Sequence, residues 1–508
     1  MIAIVDQGPP PPCPAPFNMA AHVLTSAART PDKIALAVLH ATGAERYSYA
    51  RLEAMVRGTA TGLLRRGLAP GDRVLMRLGN SVEFPITYLA AITAGLIPVP
   101  TSAQLTKREI TGIAAGVAPA LIVAEAGVAL PDGSDCPVLA SAELAAMHDL
   151  PAAEYAMGDP NRPAYIIYTS GTAGQPRAVI HAHRAIWARR MMWDGWYGLT
   201  PQDRLLHAGA FNWTYTLGTG LMDPWSVGAT ALIPAAGVGP DALPLLLKRF
   251  DATIFAAAPG VYRQMLKSPM PPLPQLRHGL SAGEKLPTAT REAWTKATGT
   301  AIHEAFGMSE CSTFISSAPG HAAPNDSLGF AQPGRRVAIL GPDGPVPRGQ
   351  PGTIAVSSRD PGLMLGYLGA EAETKARFQG EWFLTGDTGI MDDDGAISYL
   401  GRADDMMNAG GFRVSPIEVE TAMRLHPGIT DCAAAEVAIK PDVTVIAAFY
   451  TAQKPLPEPD LIAHAKATLA RYKQPRLYIH RAELPRGANN KLLRKALRDT
   501  FDPGKTAQ

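Results

Sequence analysis

The chain is poor in cysteine. Four in 508 residues, Cys13, Cys136, Cys311 and Cys432, stand far apart and form no C-x-x-C pair. That spacing excludes a zinc ribbon and a disulfide framework and points to a reducing compartment, the cytoplasm. Charge of one sign is also missing: 47 Lys and Arg balance 45 Asp and Glu, with no long run of either, so nucleic acid is excluded as the expected partner. No apolar stretch is long enough to span a bilayer. The best, YLAAITAGLIPVP at 88–100, is broken by Gly95 and Pro98 and reads as a buried helix, a turn and a strand. The first residues, MIAIVDQGPPPPCPAP, carry no basic n-region and are expected to form a loose proline arm, not a signal peptide.

Familiar nucleotide-binding signatures are absent too. Nothing supplies G-x-x-x-x-G-K-[ST] or the protein-kinase motifs, and no GxGxxG opens a helix after an early strand, which removes P-loop, kinase and Rossmann readings.

What is present is an ordinary globular composition, 46% hydrophobic and 18% charged, on a chain too long for one core. Helical patterns such as SYARLEAMVRGTATGLLRRG alternate with apolar runs such as ALIVAEA, AYIIYTS, ATALIP and ATIFAAAP. Strands separated by helices predict parallel sheets covered on both faces. At about 327–400 the pattern shifts to short strands punctuated by Asp-Gly turns, which predicts a small β subdomain. After GRADD (401–405) another α+β domain is expected; SPIEVE announces its first helix, with Ser415 as cap, Pro416 at the first position and Glu418 completing a capping box.

The most informative loop is YTSGTAGQPR at 168–177. An apolar strand precedes it and HAHRAIWARRMMW after it is helix-compatible, so the loop is expected where a strand hands over to a helix. Glycines there let backbone N–H groups approach an anion, and Thr169, Ser170 and Thr172 add hydroxyls. Taken alone it is either a polyphosphate site or a surface turn.

Other motifs follow in order: SAGEKLP (281–287), EAFGMSE (304–310), WFLTGD (382–387), YLGRADDMMNAGGFRVSPIEVE (399–420) and LPRGANNKLLRKAL (484–497). Together they resemble the adenylate-forming superfamily of acyl-CoA synthetases, aryl-CoA ligases and luciferases, over essentially the full chain. The pattern is most similar to medium-chain acyl-CoA synthetases and benzoate-type ligases. The resemblance implies an α/β fold: a large N-terminal AMP-binding domain, 1–402, of parallel-rich sheets plus the β subdomain, then a small mobile α+β domain, 403–508, carrying the catalytic lysine.

It also implies roles. Thr169, Ser170, Gly171, Thr172 and Gly174 would hold the β- and γ-phosphates, helped by Ser309 and by Arg177, which stands where most members have lysine. Gly283 and Glu284, then Ala305 and Phe306, would border adenine; Asp387 would accept the ribose hydroxyls with Arg402 assisting. Glu310 would hold Mg²⁺. Trp213, Gly307 and Met308, beside Ala305, would line an apolar slot for the acid, with Trp213 equally compatible with plain core. Lys491 would steady charge as the carboxylate attacks the α-phosphate. Asp404 would be the hinge that turns AGGFR toward coenzyme A, with Gly410, Gly411 and Arg413 forming the channel. Asn490 precedes the lysine where glycine is usual, and Asn408 replaces a lysine of luciferases.

The implied activity is an ATP-dependent carboxylate–CoA ligase acting on a benzoate-like or medium-chain acid, with ATP, Mg²⁺ and coenzyme A required. A loader of a separate carrier protein and a non-catalytic nucleotide-binding module remain as alternatives. No membrane span is expected, and a homodimer stays open.

Overall fold

Ser48 accepts the N–H of Arg51 at 3.2 Å and caps the helix Tyr49–Arg65, whose buried face carries Tyr49, Leu52, Met55, Val56 and Leu63. Gly58 in that helix has no room for a side chain: a Cβ would stand 2.6 Å from the His148 carbonyl. Beside it runs Glu83–Thr93, buried on every side after its first residue, as expected of a helix enclosed between two sheets. Gly95, at φ +77°, then turns the chain into the strand Ile97–Pro100, so the apolar stretch is interior packing. The structure is a computed structural model describing residues 1–6, 8–169, 177–283, 286–324, 327–402, 407–409, 412–414, 416–440, 443–485 and 494–502.

Among these residues the large lobe contains two parallel-centred sheets. In the nine-stranded one, the strands Ile302–Met308, His278–Ala282, Ile254–Ala256, Arg204–His207, Thr230–Pro234 and Ile34–Leu39 are parallel neighbours, flanked by antiparallel strands at both edges. The second, four-stranded and parallel, contains Arg73–Arg77 and Leu121–Ala124. Their strands are almost wholly buried apolar runs, the signature of parallel sheets covered on both faces. A seven-stranded antiparallel sheet follows, containing Arg336–Gly341, Gly352–Ser357 and Trp382–Met391. The C-terminal lobe has the hairpin of Asp431–Lys440 with Val443–Thr451, extended in parallel by Leu477–His480, and the short pair Met407–Ala409 with Phe412–Val414.

Two expectations are corrected. The N-terminal residues are not a loose arm: Ile4–Asp6 pairs antiparallel with Arg336–Gly341, and Ala3 is fully buried. Backbone pairing at the sheet edge holds them, which local composition could not reveal. The hydroxyl-rich loop does not lead from a strand into a helix. It joins Pro163–Thr169 to Arg177–Ala182, an antiparallel hairpin with Thr169 opposite Arg177. The segment RAVIHA is held as a strand on both edges, Gly366–Tyr367 pairing along its other side, and the helix Arg184–Ala188 begins only afterwards.

No helix among the described residues is long and apolar enough to cross a membrane, and all four cysteines are free.

Candidate active site

Where the two lobes meet, a cavity of about 950 Å³ opens between the hairpin that carries the hydroxyl-rich loop and the C-terminal lobe. Thr169, Arg177, Trp213, Met308, Ser309 and Glu310 form its large-lobe wall, and Phe412, Glu418, Tyr472 and Lys473 close it from the other side. The cavity is thus shared by both lobes.

Thr169 and Arg177 face each other at the hairpin's end. Ser170, Gly171, Thr172 and Gly174 lie between them, outside the described residues. Because a hairpin tip has no helix dipole behind it, anion binding here would rest on the loop's own N–H and hydroxyl groups and on nearby cations. Arg177, at the end of the loop, is one such cation, and it is already engaged: its guanidinium lies 2.7 Å from Glu373 Oε2 and 5.1 Å above the centre of the Tyr367 ring.

The strand Ile302–Met308 delivers EAFGMSE. Its register slips between Phe306 and Gly307 against Ser312–Ser316, a bulge that re-aims the residues after it. Gly307 is obligatory: a Cβ would stand 2.2 Å from the Ser312 carbonyl, and Ser312 itself sits at φ +64°. Beyond the bulge Met308, Ser309 and Glu310 face the cavity. The hydroxyl of Tyr367 donates to Glu310 Oε1 at 2.8 Å; burial, then the neighbouring carboxylate, pushes the Tyr367 phenol above its ordinary value. His181 Nε2 lies 2.7 Å from the Ser309 carbonyl and braces the turn from behind. Glu304, buried, accepts the Leu286 N–H at 2.9 Å and so ties the SAGEKLP loop to this strand. Gly283 adopts φ +94° at the loop's start; Glu284 lies outside the described residues.

Ala305, Phe306 and Asp387 are not among the described residues lining the cavity. Ala305 packs in the core of the nine-stranded sheet. Phe306 makes an edge contact with Phe314 at 5.5 Å and a tilted one with Tyr399 at 6.0 Å. Asp387, 4% exposed, pairs in register with Arg402 across two antiparallel strands. Phe306, in the nine-stranded sheet, thus touches Tyr399 of Ile397–Arg402, the strand of the seven-stranded sheet that pairs with the one carrying Asp387.

Trp213 is a half-buried wall residue whose ring stacks on Phe412 of the small lobe, centroids 5.8 Å apart and planes 29° apart, while Phe412 stacks on Tyr472 at 4.1 Å. The backbone of Arg413 pairs with Asn408 in that hairpin. Asp404, Gly410, Gly411 and Lys491 lie outside the described residues.

Among the described residues no group of three or more His, Cys, Asp or Glu is disposed to hold a metal ion. The Glu310 carboxylate facing the cavity suits a cation that takes most of its ligands from phosphate and water, the habit of Mg²⁺. Sequence reasoning missed Tyr367, Glu373, Glu109, Lys473 and the Arg189–Asp223 pair. Each acts through a partner distant in the chain, and the one local motif among them, the capping box of Thr106 and Glu109, gives no hint of that partner.

The profile of the AMP-binding enzyme family matches residues 23–368, and that of the AMP-binding enzyme C-terminal domain matches residues 418–491. A benzoate–CoA ligase of Thauera aromatica is 32% identical over 488 residues, covering 89% of this chain and 90% of that protein. The mitochondrial acyl-coenzyme A synthetase ACSM3 of Pongo abelii is 28% identical over 531 residues, covering 96% and 90%. Among solved structures, a benzoate CoA ligase from Burkholderia xenovorans LB400 superposes with a TM-score of 0.71 at 27% identity, covering 95% of this chain and all of that one.

Proposed function

The chain belongs to the AMP-binding enzyme family and is an AMP-forming acid–thiol ligase, and from this premise we propose that it converts an aromatic, benzoate-like or medium-chain carboxylic acid into its coenzyme A thioester. The reaction has two halves. The acid's carboxylate oxygen attacks the α-phosphorus of ATP; the bond to the bridging oxygen breaks and pyrophosphate leaves. The thiol sulfur of coenzyme A then attacks the carbonyl carbon of the mixed anhydride, the thiol proton is lost and AMP departs.

One observation carries this reading. A single cavity is walled by the phosphate-side residues Thr169, Arg177 and Glu310, by Trp213 at the proposed acid slot, and by Phe412 of the small lobe's hairpin. Thr169 and Arg177, with the loop between them, would grip the β- and γ-phosphates, and Ser309 would add a hydroxyl. Phe306, Ala305, Gly283 and Glu284 would border adenine, with Asp387 and Arg402 at the ribose. Glu310 would hold Mg²⁺, which when bound supplies charge neutralisation on the phosphates. Lys491 would serve the first half-reaction electrostatically, because positioning and charge stabilisation carry most of such transfers. The hairpin with Gly410, Gly411 and Arg413 would serve the second after a turn about Asp404. Closure by the small lobe would keep water from the anhydride.

The test is acid-dependent AMP formation by the purified protein with ATP, Mg²⁺ and coenzyme A over a panel of benzoates and short- to medium-chain fatty acids. Pyrophosphate release that no acid stimulates would remove the ligase reading. An adenylate that passes to a carrier protein but not to coenzyme A would reassign the acceptor.

A further inference from the structure

Behind the proposed acid slot the cavity wall turns polar. Ser312 and Thr313 lie on the strand opposite Met308 and Gly307, paired with them in register, and both reach the cavity together with Arg189 and Thr219. These side chains form one network. Arg189 Nη1 donates to Ser312 Oγ; Nε donates to Asp223 at 2.9 and 3.1 Å, and Nη2 to Asp223 Oδ2 at 2.6 Å. The hydroxyl of Tyr197 donates to Asp223 Oδ2 at 2.7 Å and lies 2.9 Å from Thr219 Oγ1. Asp223 is 1% exposed and the Arg189 side chain 11%, so the pair is held out of bulk water. The fold makes room for it: a Cβ on Gly218 would stand 2.3 Å from Arg189 Nη2.

An apolar tail is the wrong guest for such a wall. An alkyl group pressed against the second Nη1 hydrogen and the Ser312 hydroxyl would strip water from them and return no hydrogen bond, at a cost of about 1–3 kcal/mol for each group left unmet. A second carboxylate is also a poor match. The charge of Arg189 is already balanced by Asp223, and its Nε and Nη2 are turned to that partner. What the wall still offers is neutral and two-sided. The Ser312 hydroxyl, which accepts from Arg189, keeps its own proton to donate; the Thr219 hydroxyl, whose proton goes to Tyr197, can still accept beside its 3.4 Å bond from Arg189 Nη2; and Nη1, whose hydrogen-bond partner among the described residues is Ser312 alone, keeps a second hydrogen. The same cavity is also lined by Trp213 and Tyr215, in edge contact at 5.2 Å, an aromatic pair that suits a flat ring.

We infer that the acid activated here is an aromatic acid bearing a neutral hydrogen-bonding substituent, a hydroxyl or an amino group, and that Ser312, Thr219 and Arg189 read that substituent. The inference rests on the ligase reading above and narrows its substrate. A site built to hydrogen-bond a hydroxyl rejects an analogue that lacks it far more sharply than an apolar pocket separates two alkyl groups.

The test pairs each hydroxy- and aminobenzoate with the methylbenzoate of the same shape, alongside benzoate and medium-chain fatty acids, and measures kcat/KM for AMP formation with coenzyme A present. The expected result is that one hydroxy or amino acid exceeds its methyl counterpart by at least about tenfold, and that this ratio falls toward one in Ser312→Ala and Thr219→Val. Arg189→Met combined with Asp223→Leu removes both charges together and leaves none stranded; with folding checked by thermal melting, it is expected to lose the same discrimination. A methyl-substituted or alkyl acid turned over best would overturn the inference and leave the ligase intact. A ratio unmoved in all three variants would overturn the assignment of this wall. Failure of every acid to yield AMP would overturn the ligase reading and, with it, this one.

Discussion

The Lys473 ammonium lies 3.1 Å from Glu109 Oε1 and 2.6 Å from Glu418 Oε1, joining residues 364 positions apart across the two lobes. Burial by itself disfavours the charged lysine, but Tyr472 and the Glu418 and Glu109 carboxylates more than offset it and hold its pKa above the ordinary value. A raised lysine pKa contributes stability that is complete at neutral pH and lost only in strong alkali. Glu109 meanwhile caps its own helix, Oε2 accepting the Thr106 N–H at 2.9 Å, and Oε1 also accepts the Ala470 N–H at 3.3 Å. With the small lobe so docked, Phe412 rests on Trp213, the pose expected for thioester formation. Glu109→Gln keeps a capping acceptor and removes the charge. It is expected to slow thioester formation from supplied acyl-adenylate by on the order of tenfold, equivalent to about 1.4 kcal/mol, while pyrophosphate release in the first half-reaction changes little. Equal slowing of both halves would show that the contact does not select a pose.

Lys491→Ala is expected to do the reverse. Pyrophosphate release should nearly vanish while thioester formation from supplied acyl-adenylate largely survives, the mark of a residue serving one half-reaction. Loss of both halves to the same degree would refute that division.

The pairing of Arg177 with Glu373 competes with any phosphate for the same guanidinium. Glu373 is half exposed, so the pair is worth at most about 1 kcal/mol. Glu373→Gln should therefore lower KM for ATP by up to about fivefold, and Arg177→Ala should raise it. An ATP KM insensitive to both changes would remove Arg177 from the phosphate site.

Several histidines are buried and uncharged. Burial lowers the pKa of His181 and His278 to about 4, and of His183 and His207 to about 3. In the unfolded chain histidine takes up a proton below about 6.5, while the folded protein resists until nearer 4. The unfolded state therefore binds more protons in that window, and stability falls as pH drops from 6.5 toward 4, by on the order of 1–3 kcal/mol per histidine. Melting temperature measured from pH 7.5 down to 4.5 should decline steadily, and a flat profile would contradict the burial of these rings.

The parallel sheets were legible because their strands are unbroken apolar runs: ALIVAEA contains Leu121–Ala124, and ATALIP contains Thr230–Pro234. Ser309 and Glu310 could be singled out because they stand in one short motif, and both lie on the cavity wall. RAVIHA escaped because its strand character comes from two flanking partners, Pro163–Thr169 and Gly366–Tyr367, and its own sequence suits the start of a helix equally well. The Tyr367 hydroxyl on Glu310, 57 residues away, and Asp223 on Arg189, 34 away, are tertiary facts with no local pattern behind them. Lys473 likewise has no local pattern behind it: its partner Glu109 lies 364 residues away.

The pairing of Ile4–Asp6 with Arg336–Gly341 imposes an order of events during synthesis. Ile4–Asp6 leaves the ribosome long before the strand it pairs with, so it is without that neighbour while the parallel sheets between them are made. Chains stalled before that neighbour emerges would leave this segment open to pairing with other nascent chains, and a chaperone that shields Ile4–Asp6 would cover that exposure.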